Sequence, residues 1–203
     1  MGFEFPFLDL IGDGYSSFRW APAQLISSTN DIALDGSREY GTIVSPAKYD
    51  PPCDAYRRLP NGATYFKGTS LTSPEFVELE MARLSTLHHN PYPLDLFRNI
   101  TNQPTFANAT SCDNMIRLFN TSMSVPAVPV RGRVRAHAFP FTPSSSSSSD
   151  RAAQKNAAVE WTGVWGVQVA TPFIENNYLD CRSMKGYEGT GGPGDSNVKA
   201  VGR

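Results

Sequence analysis

The sequence has little net charge, few cysteines and histidines, and no long apolar run. Its 203 residues carry a formal net charge of −1, and the pI is near 6.3. A protein that binds nucleic acid through bulk electrostatics needs an excess of lysine and arginine, so we expect no nucleic-acid partner. No stretch approaches the roughly 20 apolar residues of a transmembrane helix, so we expect a soluble protein without membrane insertion.

The three cysteines, Cys53, Cys112 and Cys181, lie far apart and outside any CxxC or histidine-paired spacing. We therefore predict no metal site and no redox motif. Their odd number leaves at least one thiol free or joined to another chain. The chain also lacks a Walker loop, the dinucleotide motif GxGxxG after a strand, the serine-hydrolase motif GxSxG and the zinc motif HExxH. We therefore expect no cofactor.

Three N-x-S/T sequons, at Asn99, Asn108 and Asn120, lie within one loop-rich region, as in a secreted glycoprotein. A chain this rich in serine and threonine gives about two such matches by chance. The acidic N-terminus, interrupted by Pro6, lacks the basic start of a secretory leader. The balance favours a cytoplasmic protein, with secretion as the alternative. Six consecutive serines at 144–149 are typical of low-complexity insertions in eukaryotic proteins.

Two stretches, 127–139 and 157–170, show the alternation with a period of two that a half-buried strand imposes. We expect them to pair antiparallel, with their valines on one shared apolar face. Trp161 and Trp165 fall on that apolar face. The opposite face would carry the polar residues Arg131, Arg133, Arg135, His137 and Glu160.

Sixteen prolines and sixteen glycines divide the chain into short segments, which favours strands and loops over a helical bundle. We predict a mainly β fold of the β-rich α+β class: a curved antiparallel sheet or barrel with one packed helix and long loops. Residues 1–185 would form a single domain with a flexible serine-rich loop at 140–156. Residues 186–203 would be a flexible glycine-rich tail.

The helix is predicted at about residues 73–89, with Ser73 as N-cap and Pro74 in the first position. Apolar residues then recur at helical spacing, namely Phe76, Val77, Met81, Leu84 and Leu87. Two shorter elements are also expected. One is a hairpin that turns at Asp35 and Gly36, and the other is a short helix over 113–119.

The polar face of the strand pair is the candidate site. An acid close to a histidine and several guanidinium groups suits the binding of a carboxylate or enolate with exchange of a proton. We predict His137 as proton carrier, Glu160 as its partner, and Arg133 or Arg135 as the group that holds negative charge. The predicted substrate-binding residues are Arg131, Trp161 and Trp165. The site requires a sheet that curls around a cavity, because otherwise this face is only a solvated surface.

These residues predict a cofactor-independent enzyme that acts on a small organic molecule, as an isomerase, a cyclase or a lyase of the dehydratase type does. The alternative is a secreted, N-glycosylated binding or interaction protein without catalysis. The sequence itself leaves the choice between an enzyme and a binding protein open.

Overall fold

A computed structural model describes residues 1–85, 90–119, 122–138 and 158–184. The first elements are β1 (Gly2–Leu8), β2 (Phe18–Ser27), α1 (Asp31–Glu39), β3 (Ile43–Asp50), β4 (Arg57–Arg58), β5 (Thr64–Ser70) and β6 (Phe76–Arg83). They are followed by α2 (Leu94–Asn102), β7 (Thr105–Phe106), β8 (Ser111–Arg117), β9 (Val125–His137), β10 (Val159–Ala170) and β11 (Phe173–Asp180). A single 3-10 turn at Cys181–Met184 follows β11.

All eleven strands belong to one sheet, which confirms the predicted β-rich class. The main order is β10-β9-β6-β5-β3-β2-β7-β8-β11, with β1 paired to β2 and β4 paired to β5. The sheet stays open, with β10 and β11 at the two ends of this order, so the barrel alternative is wrong. It is also mixed, because β2 runs parallel to β3 and to β7. Helix α1 makes the crossover that the parallel pairing of β2 and β3 requires.

The antiparallel pairing of the two long strands is confirmed. β9 and β10 pair antiparallel, with Glu160 opposite Arg135 and Thr162 opposite Arg133. β9 also pairs with β6 along its other edge. The serine-rich segment 140–156 and the predicted tail 186–203 lie outside the described residues.

The helix predicted at 73–89 is wrong, because Phe76–Arg83 forms strand β6 between β5 and β9. The same residues also alternate with a period of two, which places Val77 in the core and Glu78 and Glu80 on the opposite face. Pairing with two neighbouring strands satisfies the backbone on both sides, and this outweighs the local helix signals. The end of the predicted helix, at 86–89, falls outside the described residues.

Two smaller predictions are also wrong. The expected hairpin turn at Asp35 and Gly36 lies inside helix α1, because the Asn30 side chain caps the helix by accepting a hydrogen bond of 3.0 Å from the Ala33 N–H. The expected helix at 113–119 is strand β8 up to Arg117. Cys112, Asn114 and Ile116 are buried, and the residues between them are half-buried, as the two faces of a strand require.

The core consists of two apolar clusters, one at each half of the sheet. One contains Leu25, Ala47, Val77, Ala136 and Ala138. The other contains Phe18, Phe106, Cys112, Cys181 and Met184, and a disulfide joins its two cysteines. Cys53 is exposed and free. Within the described residues, neither helix is long and apolar enough to cross a membrane.

Candidate functional site

Arg133 and Arg135 of β9 and Glu160 of β10 lie on one face of the sheet, where the acids and arginines pair with each other. Arg135 Nε lies 3.3 Å from Glu160 Oε2, and Arg133 Nη1 lies 3.7 Å from the same oxygen. Strand β6 supplies further acids: Glu80 lies 2.9 Å from Arg133, and Glu78 lies 3.6 Å from Arg135. Each of the two arginines therefore has two carboxylate partners on this face.

His137 lies at the end of the same face but is buried, with 6% of its surface exposed. It stands opposite Phe76 in β6, and its Nδ1 has no hydrogen-bond partner in the described part of the chain. Glu160 stands opposite Arg135 instead, with its carboxylate on the arginines. The structure brings Arg133, Arg135 and Glu160 together, but Glu160 does not pair with His137 as predicted. The catalytic roles of these four residues stay predictions.

The predicted common face for the two tryptophans is wrong because of a bulge at Gly163. This glycine has a φ of 69°, and the register shifts between Thr162 and Val164. A bulge adds one residue to one strand, which reverses the side-chain alternation beyond it. Trp161 packs against Phe3 in the core with the ring centroids 5.7 Å apart. Trp165 lies opposite Arg131, whose guanidinium carbon is 4.7 Å from the centre of its ring.

A polar cavity of about 420 Å³ lies at the other half of the sheet, and we call it the α1 cavity. Its walls come from α1 and from strands β1, β2, β7, β8 and β11. The ionisable residues that line it are Glu4, Arg19, Tyr40, Asp113, Arg117, Glu175 and Tyr178. A cavity with several converging polar groups is the usual form of a small-molecule site.

Arg19 anchors the floor of the α1 cavity. It is only 3% exposed, and its guanidinium lies 2.9 Å from Glu4 Oε2. Its Nε and Nη2 also donate hydrogen bonds of 3.0 Å and 2.6 Å to Thr105 Oγ1. Buried charges are tolerated when they are paired and hydrogen-bonded, so Arg19 is fixed in place.

Asp113 is an acid of the α1 cavity whose carboxyl has no hydrogen-bond or ion-pair partner within the described residues. Its Oδ1 is buried, and its carboxyl accepts no hydrogen bond within the described residues. Burial, with a smaller contribution from the charge of Glu175, raises the pKa of Asp113 to about 6, while Arg19 opposes the shift. A carboxyl with a pKa of about 6 can both accept and return a proton near neutral pH.

Tyr40 stands beside Asp113 at the end of α1. Its Oη accepts a hydrogen bond of 3.2 Å from the backbone N–H of Asp113. Burial raises the pKa of Tyr40, so the hydroxyl keeps its proton at neutral pH. Its oxygen accepts from the backbone, and its own O–H donates to no acceptor within the described residues, so it is available to a molecule in the cavity that Tyr40 lines.

The site residues predicted from the sequence do not include Arg19, Tyr40 or Asp113. One available signal was Arg19 between Phe18 and Trp20, because a charge inside an apolar strand needs a partner. The other was the alternation along β8, which places Asp113 and Arg117 on one face.

The strands of this protein thus carry two groups of charged side chains. One group forms ion pairs on the open face of β6, β9 and β10, and the other lines the α1 cavity. The described residues contain no cluster of three or more histidines, cysteines or acids that could hold a metal ion. No family model, curated protein or solved structure matches the chain.

Proposed function

We propose that the α1 cavity binds a small polar organic molecule and that Asp113 exchanges a proton with it. The observation that carries the proposal is a carboxyl without a partner, with a pKa raised to about 6, in a cavity of about 420 Å³. A half-buried carboxyl with a buried oxygen that accepts no hydrogen bond costs free energy of folding, and such groups are concentrated at functional sites. The reaction class is the one predicted from the sequence, an isomerase, cyclase or lyase, at a different place in the fold.

The chemistry assigned to the cavity is proton transfer next to a carbonyl group. The Asp113 carboxylate takes a proton from the α-carbon, the electron pair of that C–H bond becomes the C=C bond of an enolate, and the π pair of the carbonyl bond moves onto its oxygen. Tyr40 donates its O–H to this oxygen as negative charge develops there, and the fixed charge of Arg19 contributes to the local field. Return of the proton at another atom completes an isomerisation with no net oxidation.

We expect the protein to accelerate exchange of α-hydrogens for deuterium in at least one of three ketones: dihydroxyacetone, levulinate or aminolevulinate. The rate, followed by proton NMR in deuterium oxide, should rise with pH and level off above the Asp113 pKa of about 6, because only the carboxylate accepts a proton. Asp113→Asn should lower the rate by about 10²–10⁴-fold.

Asp95→Asn is the matched control, because Asp95 lies in the first turn of α2 with its side chain 81% exposed. It should leave the rate unchanged. Asp113→Asn should remain folded, because asparagine removes a charge that opposes folding. The folded-state pKa of Asp113 is about 6, so above that pH its ionised form destabilises the folded protein. Below 3.8, the pKa of the unfolded chain, the carboxyl is protonated in both states and has no effect. Exchange at the buffer rate with all three ketones, or at equal rates in wild type and Asp113→Asn, would contradict the proposal.

A second candidate is a secreted, N-glycosylated binding protein, and the Cys112–Cys181 disulfide favours it. Disulfides persist mainly in oxidising compartments. Of the three sequons, Asn108 is exposed and Asn99 is half-buried in α2, while Asn120 lies outside the described residues.

For this second candidate we expect expression through a eukaryotic secretory pathway, with a leader added, to place a glycan on Asn108, because this asparagine is the exposed one. The intact mass should fall on treatment with a glycosidase, and Asn108→Gln should remove that part of the mass difference. Secreted protein with the unmodified mass would count against this candidate.

A further inference from the structure

We infer that the ligand of the α1 cavity is a zwitterion that carries both a protonated amine and a carboxylate. The inference rests on the proposed function, because it assumes that the cavity is the ligand site. It comes from charged groups of both signs that line the same cavity and form no ion pair within the described residues. They are the acids Asp113 and Glu175 and the arginine Arg117.

The amine end is assigned to Asp113 and Glu175. Both carboxylates line the cavity, and neither forms an ion pair within the described residues. The charge of Glu175 raises the pKa of Asp113, so the two carboxylates repel each other. An ammonium group between them offers up to three N–H donors and relieves this repulsion.

The carboxylate end is assigned to Arg117. One of its N–H groups donates a hydrogen bond of 2.6 Å to the Thr101 carbonyl, and no described carboxylate forms an ion pair with it. Burial, followed by the charge of Arg19, lowers the pKa of Arg117, although the charges of Glu4 and Glu175 oppose this shift. A ligand carboxylate in direct contact would add the ion pair that Arg117 lacks within the described residues. The planar fork of an arginine matches a carboxylate in two parallel hydrogen bonds.

Arg19 differs from Arg117, because the protein itself already supplies the partners of the Arg19 guanidinium. Glu4 and Thr105 occupy its guanidinium, so this arginine needs no ligand group. Among the five charged residues of the cavity, the pair Arg19 and Glu4 neutralises itself and leaves two acids and one arginine for a ligand. A diamine would leave Arg117 without a partner, and a dicarboxylate would meet Asp113 and Glu175.

The spacing of the two ends favours an elongated ligand. Asp113 and Arg117 lie on the same face of β8, four residues apart, which corresponds to about 13 Å between their Cα atoms. The long side chain of Arg117 shortens the gap that the ligand itself must span. Met115 lies between them and also lines the cavity, and Glu175 stands opposite Met115 on β11. An ammonium group between Asp113 and Glu175 therefore leaves an apolar chain to run past Met115 towards Arg117.

Isothermal titration with ε-aminocaproate, hexylamine and hexanoate tests the inference, because the three molecules share one chain and differ in their charged ends. Wild type should bind ε-aminocaproate about tenfold or more tightly than either of the others. Asp113→Asn or Glu175→Gln should reduce its affinity to that of hexanoate. Arg117→Gln, or Arg117→Met if the first variant is unstable, should reduce it to that of hexylamine, because neither side chain carries a positive charge.

Asp95→Asn again serves as the surface control and should bind like wild type, since Asp95 lies in α2 and does not line the cavity. Equal or tighter binding of hexylamine or hexanoate by wild type overturns the inference, as does full affinity for ε-aminocaproate in the Asp113 and Arg117 variants. If the inference fails in this way but deuterium exchange still depends on Asp113, the proposed function remains supported. If wild type shows neither the exchange nor the preference for the zwitterion, the proposed function and the inference are both wrong.

Discussion

Alanine at Gly132 should unfold the protein or leave it on the edge of unfolding. A Cβ atom at this position would lie 1.9 Å from the backbone oxygen of Glu80 and 2.8 Å from the Cα of Met81. Gly132 lies in β9 and pairs with Met81 of β6 on one side and Val164 of β10 on the other. Because the atoms that the methyl group meets belong to the backbone of a paired strand, no side-chain movement can make room for it.

We expect Gly132→Ala to lower the free energy of unfolding by at least about 4 kcal/mol, a loss at the extreme end for single substitutions. Urea unfolding monitored by circular dichroism measures it. Gly166→Ala is the matched control, since its Cβ would meet only the ends of side chains, Val130 Cγ2 at 3.3 Å and Met81 Cε at 3.6 Å. It should cost about 1 kcal/mol. Equal stability of the two variants would contradict this prediction, because the backbones of β6 and β9 would then have to lie farther apart at Gly132 than the structure shows.

The alternation along β9 and β10 predicted the strand pair from sequence, and it was reliable up to Gly163. Residues 159–162 face the side that the period of two assigns, with Glu160 at Arg135 and Thr162 at Arg133. Beyond the bulge the alternation reverses, and Trp165 joins the face of Arg131. A glycine inside a strand is the known warning of a bulge, but the sequence does not say on which side the extra residue falls.

Strand β6 shows why local signals misled at 73–89. Ser73 and Pro74 resemble a helix start, and Glu78 and Glu80 resemble acids near a helix N-terminus. In the fold the two acids instead pair across strands, with Lys67, Arg135 and Arg133. Those partners are distant in sequence, so their effect on the choice between helix and strand is invisible in a local window.

The α1 cavity is harder still to predict, because each of its contacts joins remote segments. Arg19 and Thr105 are 86 residues apart, and Tyr40 and Asp113 are 73 residues apart. No spacing rule connects residues at such separations without an alignment or a motif. The sequence does show the alternation along β8. If residues 113–119 had been predicted as a strand instead of a helix, Asp113 and Arg117 would have been placed on the same face.

Removal of the Cys112–Cys181 disulfide should cost the protein about 4 kcal/mol of stability. The bond closes a loop of 69 residues, and in the chain-entropy model such a crosslink restricts the unfolded chain by about that amount. Both cysteines lie in the apolar cluster with Phe18 and Met184, with 0% and 2% of their surface exposed. Alanine is therefore the suitable replacement for both, since serine would bury a hydroxyl group there.

The disulfide also bears on the α1 cavity, because Cys112 directly precedes Asp113 in β8 and Cys181 follows β11, which carries Glu175. Cys112→Ala/Cys181→Ala should therefore lower the urea midpoint and weaken binding of ε-aminocaproate together. Cys53→Ala, which removes the exposed free thiol, should change neither measurement. Unchanged stability in the double variant would mean that the crosslink restricts the unfolded chain far less than its loop length implies. Unchanged binding in a destabilised double variant would show that strand pairing between β8 and β11 alone holds the two acids in place.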